Sequence, residues 1–221
     1  MSILITGAAG GLGNAVVEAF LESGAIVYGA DVSWKNQPHP NPRFHAIEGN
    51  LLDPAECDRI AKAAAPLDGL MHLVGGFGGG KPVAETGDDT WQRMLDLNLR
   101  SAYSIFRAVL PQMVEARRGR IVAVGSRAAL EPMANFAAYS VSKAALVTLV
   151  QTVAIEVKDH GITVNMVLPS VIDTPANRKA MPTVDPAKWV TPEAIARLMV
   201  WLASDQAGDI NGAAIPIYGR A

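Results

Sequence analysis

The sequence predicts an α/β fold: one doubly wound, parallel sheet of about seven strands with helices on both faces. Short apolar segments with the composition of buried strands alternate with longer segments of helical periodicity along the whole chain. The first of these strands leads directly into a glycine-rich turn and a helix. Strand, glycine turn and helix in this order are typical of the Rossmann type of sheet.

The size of the chain fits one such domain. Half of the 221 residues are hydrophobic, 18% are charged, and no segment is repeated, so the chain can bury one large core. We therefore predict a single domain over residues 1–221. The high apolar share also leaves room for a subunit interface, and we expect a homo-oligomer, a dimer or a homotetramer.

Several classes of partner are disfavoured by composition. The net charge of -2 provides no basic surface for nucleic acid, and no run of about 20 apolar residues spans a membrane. The single cysteine, Cys57, excludes an intrachain disulfide and fits a reducing compartment. The four histidines have no metal-ligand spacing, so no metal is expected. With no secretory signal at the start of the sequence, we expect a cytoplasmic protein.

The first strand, Ser2–Thr6, precedes the turn 7–13 and a predicted helix over Asn14–Ser23. Such a turn presents backbone N–H groups and the positive helix end to a pyrophosphate. Gly7 permits the turn, Gly11 allows close phosphate approach and Gly13 lets the helix lie close to the sheet. Leu12 completes this candidate cofactor-binding segment. A glycine turn that binds nothing remains the alternative.

The second strand, Ala25–Ala30, ends in Asp31. An acidic residue about 20 positions after the glycine turn is placed to accept hydrogen bonds from the adenosine ribose. It would also repel a 2′-phosphate, which favours NAD over NADP as the cofactor. An NADP-preferring enzyme, or an Asp31 that only caps a turn, remains the alternative.

The remaining strands are predicted from short apolar runs and the remaining helices from periodicity and capping signals. Pro216 should confine the last strand to an edge of the sheet, and Pro111 should kink or end the helix that contains it. A proline-rich connection is expected over Pro38–Pro42. The predicted strands are Arg43–Gly49, Leu70–Val74, Ile121–Gly125, Thr163–Leu168 and Ala213–Tyr218. The predicted helices run from Asp53 to Ala65, from Thr86 or Asp88 to Pro111, over Ala137–Val157, and from Pro192 to Ala203.

The fourth strand leads into a second glycine-rich segment, 75–82. The spacing of Gly75, Gly80 and Lys81 resembles the phosphate loop of a nucleoside triphosphatase. Pro82, however, stands where that loop needs a Ser or Thr hydroxyl for magnesium, and a proline is awkward just inside the helix that should follow. This alternative is therefore disfavoured.

The strongest chemical signal lies at and after the fifth strand. Ser126 follows that strand at its carboxyl end, and Tyr139 and Lys143 lie four residues apart on one helical face. A nearby ammonium lowers the pKa of a phenol from about 10 toward neutrality. The serine hydroxyl could hold a carbonyl or alcohol oxygen beside that phenol. The pair alone also fits an ordinary surface helix.

Together these motifs resemble the classical short-chain dehydrogenase/reductase family over essentially the whole chain. The motif Thr6-Gly-x-x-x-Gly-x-Gly comes first, and Ser126 stands 13 residues before Tyr139, the interval usual in the family. The resemblance implies reversible hydride transfer between a nicotinamide cofactor and a carbonyl or secondary alcohol substrate. It assigns acid-base chemistry to Tyr139, positioning of the oxygen to Ser126, and ribose binding with lowering of the tyrosine pKa to Lys143.

The resemblance also implies further site residues. Asn98 would hold a water in a proton relay, and Asn50 with Leu51 would contact adenine, although the family usually has Asp before the apolar residue. Gly75 and Gly76 would keep close backbone approach to the cofactor. Val74-Gly75-Gly76 stands in place of the family's Asn-Ala-Gly, however, so the support from that asparagine side chain is lost.

The segment after the sixth strand is similar to the family's segment near the nicotinamide. Its candidate cofactor residues are Pro169, Ile172 with its backbone and Thr174 with its hydroxyl, and Ser170 replaces the usual glycine. Residues 175–190 are rich in proline and show little periodicity, so they are expected to form a short mobile lid over the substrate.

Two alternative functions and the identity of the substrate stay open at this point. A non-catalytic dinucleotide sensor of the same fold would need no Ser-Tyr-Lys set, and a cofactor-free lyase or dehalogenase would lose the glycine turn. The helical residues Ala144–Val157 are apolar on more than one face and resemble the helices of the family's dimer interface. The substrate is not specified, and the candidate pocket residues are of mixed polarity: Arg127, Glu131, Met133, Arg178 and Met181.

Overall fold

The computed structural model describes residues 1–34 and 39–220. Within them, seven strands form one sheet in the order β3-β2-β1-β4-β5-β6-β7, and every neighbouring pair is parallel. The prediction of a doubly wound, seven-stranded parallel sheet is therefore confirmed. The strands are β1 Ser2–Thr6, β2 Ile26–Asp31, β3 Phe44–Glu48, β4 Gly69–His72, β5 Gly119–Val124, β6 Ile162–Pro169 and β7 Ala214–Ile217.

Helices connect these strands and cover the sheet. One hydrophobic cluster contains buried residues of α2, α4 and α5, and the other contains buried residues of α1 and α7, so the helices lie on opposite faces. The strand order reverses between β1 and β4, which is where α/β sheets bind ligands. The helices are α1 Gly11–Glu22, α2 Pro54–Ala63, α3 Asp88–Leu95, α4 Ser101–Ala116, α5 Ala137–Val157, α6 Pro175–Ala180 and α7 Pro192–Leu202.

A π-helical turn, Asp96–Arg100, joins α3 to α4 into one long helical segment. Pro111 neither ends α4 nor marks its boundary, because the helix continues to Ala116 and stops at Arg117 in a left-handed conformation. An interior proline costs about 3 kcal/mol. The same helix buries three apolar side chains completely, Ile105, Val109 and Met113. Their packing offsets the cost of the proline. Of the two expected effects of Pro111, an end of the helix is wrong, and a kink stays a prediction.

The longest helix, α5, is apolar enough in composition and length to cross a membrane. It packs along β6 and against the π-helical turn, with ten buried residues. A core helix of this kind meets the same length and composition criteria, so the finding is weak evidence for a membrane span. Its position matters more, because it carries Tyr139 and Lys143 to the sheet.

The prediction that Pro216 lies in an edge strand is confirmed, because β7 ends the sheet beside β6. The expected lid, 175–190, contains the short helix α6: the Thr174 hydroxyl accepts from the Asn177 N–H at 3.2 Å, and Pro175 occupies the first turn. The role of this segment as a lid stays a prediction. The predicted connection Pro38–Pro42 begins outside the described residues.

Candidate active site

The glycine turn after β1 has the geometry of a close-packed phosphate-binding turn. Gly7 has a φ of 76°, a conformation that only glycine adopts at little cost. A Cβ on Gly13 would lie 2.4 Å from the Gly7 carbonyl oxygen and 2.5 Å from that of Ala8. The first turn of α1 therefore lies directly on the backbone of the turn, and a side chain at Gly13 would separate them.

The N-terminus of α1 faces a space that fits a dinucleotide. Gly10 caps the helix without a side-chain hydrogen bond, so the first-turn N–H groups of Gly11 and Leu12 are not capped by it. A Cβ on Gly11 would come within 3.2 Å of the Thr174 side chain, so the glycine turn and the segment after β6 approach each other here. These uncapped amides and the positive end of the helix suit a pyrophosphate.

A cavity of about 690 Å³ continues from the glycine turn past the end of β2. Asp31 lies in its wall, and its carboxylate accepts hydrogen bonds from the N–H of Ala9 at 3.0 Å and of Val32 at 2.8 Å. Glu18 also lines the cavity, paired with His39 at 2.7 Å. The size of the cavity fits the adenosine end of a dinucleotide.

The candidate adenine contacts are placed less favourably. Leu51 is 5% exposed and packs in the core beside Cys57, whose thiol donates to the Leu51 carbonyl. The Asn50 amide oxygen accepts from the N–H of Leu52 at 3.0 Å. Neither residue is among the described residues that line the cavity. The Gly49 N–H donates to the Asp31 carbonyl at 2.9 Å, so Asn50 follows a residue that contacts Asp31, and the contact of Asn50 and Leu51 with adenine stays a prediction.

Ser126 and Tyr139 meet, as their spacing predicts. Ser126 follows β5 in an extended conformation, and its hydroxyl accepts from the Ala128 N–H at 3.2 Å. The same hydroxyl forms a side-chain hydrogen bond with the phenol of Tyr139. Burial raises the pKa of Tyr139, and the Ser126 hydrogen bond lowers it to a smaller extent. The two hydroxyls can therefore hold one substrate oxygen together.

Lys143 lies one helical turn after Tyr139 but acts differently from the expectation. It is 5% exposed, and its Nζ donates to the Val124 carbonyl at 3.0 Å. Desolvation lowers the pKa of this amine to about 8. Burial is also the main influence on the pKa of Tyr139, which it raises. The expected lowering of the Tyr139 pKa by Lys143 is therefore wrong for this arrangement of side chains.

Asn98 is fully buried in the π-helical turn and joins three parts of the site. Its Oδ1 accepts from the Gly76 N–H at 2.8 Å, and its Nδ2 lies 3.0 Å from both the Gly76 carbonyl and the Ser142 hydroxyl. Ser142 donates in turn to the Tyr139 carbonyl at 2.8 Å. The amide thus connects the loop after β4 to the helix that carries the catalytic candidates. π-Helical turns occur often at functional sites.

The loop after β4 depends on its glycines for this contact. A Cβ on Gly75 would lie 2.8 Å from Asn98 Oδ1 and 3.1 Å from Lys143 Nζ, and one on Gly76 would lie 2.7 Å from Leu97. The backbone itself therefore approaches Asn98 and Lys143. Val74 packs against the core cluster, where the family has an asparagine.

The phosphate-loop alternative for residues 75–82 does not fit this geometry. Gly80 donates its N–H to the Asn135 carbonyl at 2.7 Å. Only a three-residue 3₁₀ turn, Val83–Glu85, follows Pro82. The loop therefore has no helix of its own to direct at a phosphate.

The segment after β6 is held by its own hydrogen bonds. Pro169 ends the strand, and the Ser170 hydroxyl donates to the Tyr218 carbonyl at 2.6 Å. The Ile172 carbonyl accepts from the Thr174 N–H at 2.9 Å and from the side chain of Asn177 at 2.8 Å. This brings Thr174 to Gly11 across the expected pyrophosphate site, while its hydroxyl caps α6.

Three aromatic and polar residues at the site were not anticipated. Phe77 contacts Tyr139, with ring centroids 4.9 Å apart, and stacks on Phe136 at 5.0 Å. His72 is fully buried and bonds the Thr6 hydroxyl at 2.9 Å, and burial lowers its pKa to about 3. The sequence signal that could have identified Phe77 is its place as an aromatic residue isolated among glycines. The contacts of Phe136 with Phe77 and of His72 with Thr6 join segments that are distant in sequence.

Among the candidate pocket residues, charged pairs dominate. Arg127 pairs with Glu131 at 2.7 Å and lies over the ring of Tyr218 at 4.9 Å. Arg178 on α6 pairs with Asp173 through two nitrogens, at 2.5 and 2.8 Å. Met133 is 44% exposed. In the part of the chain that the structure describes, no group of three His, Cys, Asp or Glu side chains could hold a metal ion.

The arrangement of the site supports proton transfer to and from an oxygen. Tyr139 and Ser126 provide two hydroxyls in contact, Lys143 a buried amine one helical turn away, and the glycine turn a dinucleotide site at the same edge of the sheet. When bound, a nicotinamide cofactor would accept or supply the hydride. In that reaction these side chains would hold the substrate oxygen and move its proton.

Known proteins share both sequence and fold with this chain. Residues 1–185 match a family model described as short chain dehydrogenase. The chain is 30% identical to a short-chain dehydrogenase/reductase of Talaromyces verruculosus, over 97% of this chain and 94% of the relative. It is also 30% identical to a dehydrogenase/reductase SDR family member 6 of Aquarana catesbeiana, over 98% and 95%.

Solved structures agree with these sequence matches. An oxidoreductase of the short-chain dehydrogenase/reductase family from Burkholderia thailandensis superposes with a TM-score of 0.86 at 31% identity, covering 98% of this chain and 90% of that one. Levodione reductase superposes with a TM-score of 0.90 at 24% identity, over 98% and 95%, which supports the fold alone. The chain therefore belongs to the classical short-chain dehydrogenase/reductase family and is an oxidoreductase of that family.

Proposed function

We propose that the protein is an NAD-dependent oxidoreductase that transfers a hydride reversibly between the nicotinamide and a carbonyl or secondary alcohol substrate. The observation that carries the proposal is the hydrogen bond between Ser126 and Tyr139, with the buried Lys143 amine beside them. Two hydroxyls in contact at the carboxyl end of a parallel sheet can bind one oxygen and exchange its proton. They lie at the same edge as the glycine turn of the dinucleotide site.

Each candidate side chain has a separate role in this proposal. Tyr139 gives its proton to the oxygen during reduction and takes it back during oxidation, while Ser126 holds the same oxygen. Lys143, anchored to Val124, is placed to bind the cofactor ribose. Asn98 keeps the loop after β4 in contact with α5 and anchors the proton relay. Residues 175–190 form the substrate lid, now with the short helix α6 in it.

The preference for NAD rests on the charge around the adenosine end of the cavity. Asp31 and Glu18 both line it, and Arg or Lys is absent from the described residues of the lining. Two carboxylates would repel the 2′-phosphate of NADP, since unpaired like charges cost several kcal/mol at a binding interface. NADP use remains the alternative that the cofactor assay below decides.

A homo-oligomer is the assembly that we propose. An apolar groove of about 360 Å³ lies between α3, α4 and α5, and Leu95, Leu99 and Leu149 line it. Tyr103 in the same groove is 51% exposed, and Ile155 on α5 is 69% exposed. A second copy of this face would bury these side chains. Light scattering after gel filtration should give a dimer or tetramer, and Tyr103→Lys should shift the distribution toward monomer.

The main test is an assay of the purified protein with NAD or NADP and a panel of secondary alcohols and ketones, followed by absorbance of the reduced cofactor. Turnover with NAD supports the proposal. Tight NAD binding without turnover of any compound would instead favour a non-catalytic dinucleotide sensor. Localisation in the cytoplasm stays a prediction, to be checked by fractionation of cells that express the protein.

A further inference from the structure

Phe77 occupies an unusual position for an apolar side chain. It is 62% exposed, yet its ring centroid lies 4.9 Å from that of Tyr139, with the two ring planes 74° apart. Its second contact is Phe136, stacked at 5.0 Å with an interplanar angle of 27°. An exposed aromatic surface beside the candidate acid-base group indicates a binding surface.

The backbone around Phe77 is shaped to hold it there. Gly79 has a φ of 155°, and a Cβ on it would lie 2.5 Å from the ring of Phe136. Gly80 donates its N–H to the Asn135 carbonyl at 2.7 Å. A Cβ on Gly78 would come within 3.0 Å of the Arg93 guanidinium. The loop therefore packs flat on the segment that carries Phe136, and this packing holds the two rings together.

The position of the rings defines what they would contact. An oxygen held between the hydroxyls of Ser126 and Tyr139 brings the carbon that bears it, and that carbon's substituents, close to the tyrosine ring. One side of this space is bounded by Phe77. Two further exposed apolar residues, Leu130 and Met133, occupy the segment before Phe136, at 54% and 44% exposure.

We propose that Phe77 and Phe136 form an aromatic wall of the substrate pocket, which selects substrates with a flat, unsaturated ring attached to the carbonyl or carbinol carbon. The inference rests on the proposed function and adds a substrate class to it. A flat ring can stack against the wall or meet it edge to face, and both arrangements are favourable between aromatic groups. A saturated ring of equal carbon number is thicker and has no π-system.

The test compares two substrates that differ only in this respect: acetophenone and cyclohexyl methyl ketone, each reduced with NADH. The ratio of their kcat/KM values is expected to favour acetophenone in the unmodified protein. Phe77→Leu and Phe136→Leu keep apolar volume but remove a ring, and each should lower the ratio by about fivefold. Val83→Ala, at a 72% exposed position after the same loop, is the control and should leave the ratio unchanged.

Other roles for the ring give different results. If Phe77 only shields Tyr139 from water, Phe77→Leu will change the rates of both ketones equally and leave the ratio as it was, which overturns the proposal. Circular dichroism and NAD binding show whether each variant is folded. A ratio that stays the same in two folded variants rejects the aromatic wall.

Failure of the proposed function is distinguishable from failure of the wall. The reaction itself is tested by the full panel of alcohols and ketones. If neither of these two ketones is turned over, their binding to the NAD-saturated protein is compared by saturation-transfer NMR. Stronger binding of acetophenone that is lost in Phe77→Leu supports the wall. Equal binding of both ketones overturns it.

Discussion

Asn98 and Gly76 exchange two hydrogen bonds across 22 residues of sequence: the Gly76 N–H donates to Oδ1 at 2.8 Å, and Nδ2 donates to the Gly76 carbonyl at 3.0 Å. The same Nδ2 lies 3.0 Å from the Ser142 hydroxyl. One fully buried side chain thus joins the loop after β4 to the helix of Tyr139.

Asn98→Ala should therefore destabilise the protein and impair turnover together. It leaves both backbone groups of Gly76 without their partner, and each buried polar group left unpaired costs about 1–3 kcal/mol. Urea unfolding should show this loss as a lower free energy of unfolding. Gln92→Ala, on an exposed side chain paired only with Asp96, is the matched control. An Asn98→Ala protein with the stability of the unmodified chain would contradict the role given to this amide.

Tyr139→Phe removes the phenol that the site depends on. Turnover should fall by about 10²-fold or more, the usual contribution of a positioned acid-base group, while NAD binding stays nearly intact. Steady-state kinetics and a cofactor titration measure the two effects. Tyr28→Phe is the control, because Tyr28 packs beside His45 and the core, away from Ser126. Full turnover in Tyr139→Phe would remove Tyr139 from the mechanism.

The pH dependence follows from the raised pKa of Tyr139. Since burial raises it above the ordinary value of 10.0, the phenolate that accepts a proton during oxidation is scarce near neutrality. Alcohol oxidation should therefore rise with pH into the alkaline range. Ser126→Ala removes a hydrogen bond that lowers this pKa. In this variant the rise of alcohol oxidation should therefore occur at higher pH. Ser140→Ala, on the same helix, should leave the profile in place.

Lys143 should make stability depend on pH. Its pKa falls from 10.5 to about 8 on folding because the amine is buried. Below pH 8 the amine is charged in both states, and its burial costs the folded state in full. Between pH 8 and 10.5 the unfolded chain binds more protons, so stability rises with pH by about 3 kcal/mol. Unfolding of Lys143→Met should lack this rise, and an equal rise in both proteins would refute the explanation.

Asp31→Asn tests the cofactor preference. The amide oxygen keeps an acceptor for one of the two N–H groups that the carboxylate binds, those of Ala9 and Val32, and the substitution removes the charge that repels a 2′-phosphate. The ratio of kcat/KM for NAD over NADP should fall by about tenfold, which corresponds to about 1.4 kcal/mol. Asp209→Asn, on an exposed loop before β7, controls for the change in net charge. An unchanged ratio in Asp31→Asn would place cofactor selection elsewhere.

Local patterns predicted much of this molecule correctly. The patterns of strands and helices depend on neighbours at most about four residues apart. The seven strands and the helix of Tyr139 and Lys143 were therefore predicted within a few residues of their observed bounds. Pro216 predicted an edge strand for an equally local reason, since proline lacks the N–H that an interior strand must donate.

Other features depend on which distant segments pack together. Burial, and not the spacing of four residues, decides the pKa values of Tyr139 and Lys143. Packing on the sheet keeps Pro111 inside α4, and the core takes in Leu51. The amino-acid sequence by itself thus predicted the family and the parallel sheet correctly, and it named the candidate reacting side chains. Only the folded chain decided their desolvation and the contact of Phe77 with Tyr139, because both arise between residues far apart in sequence.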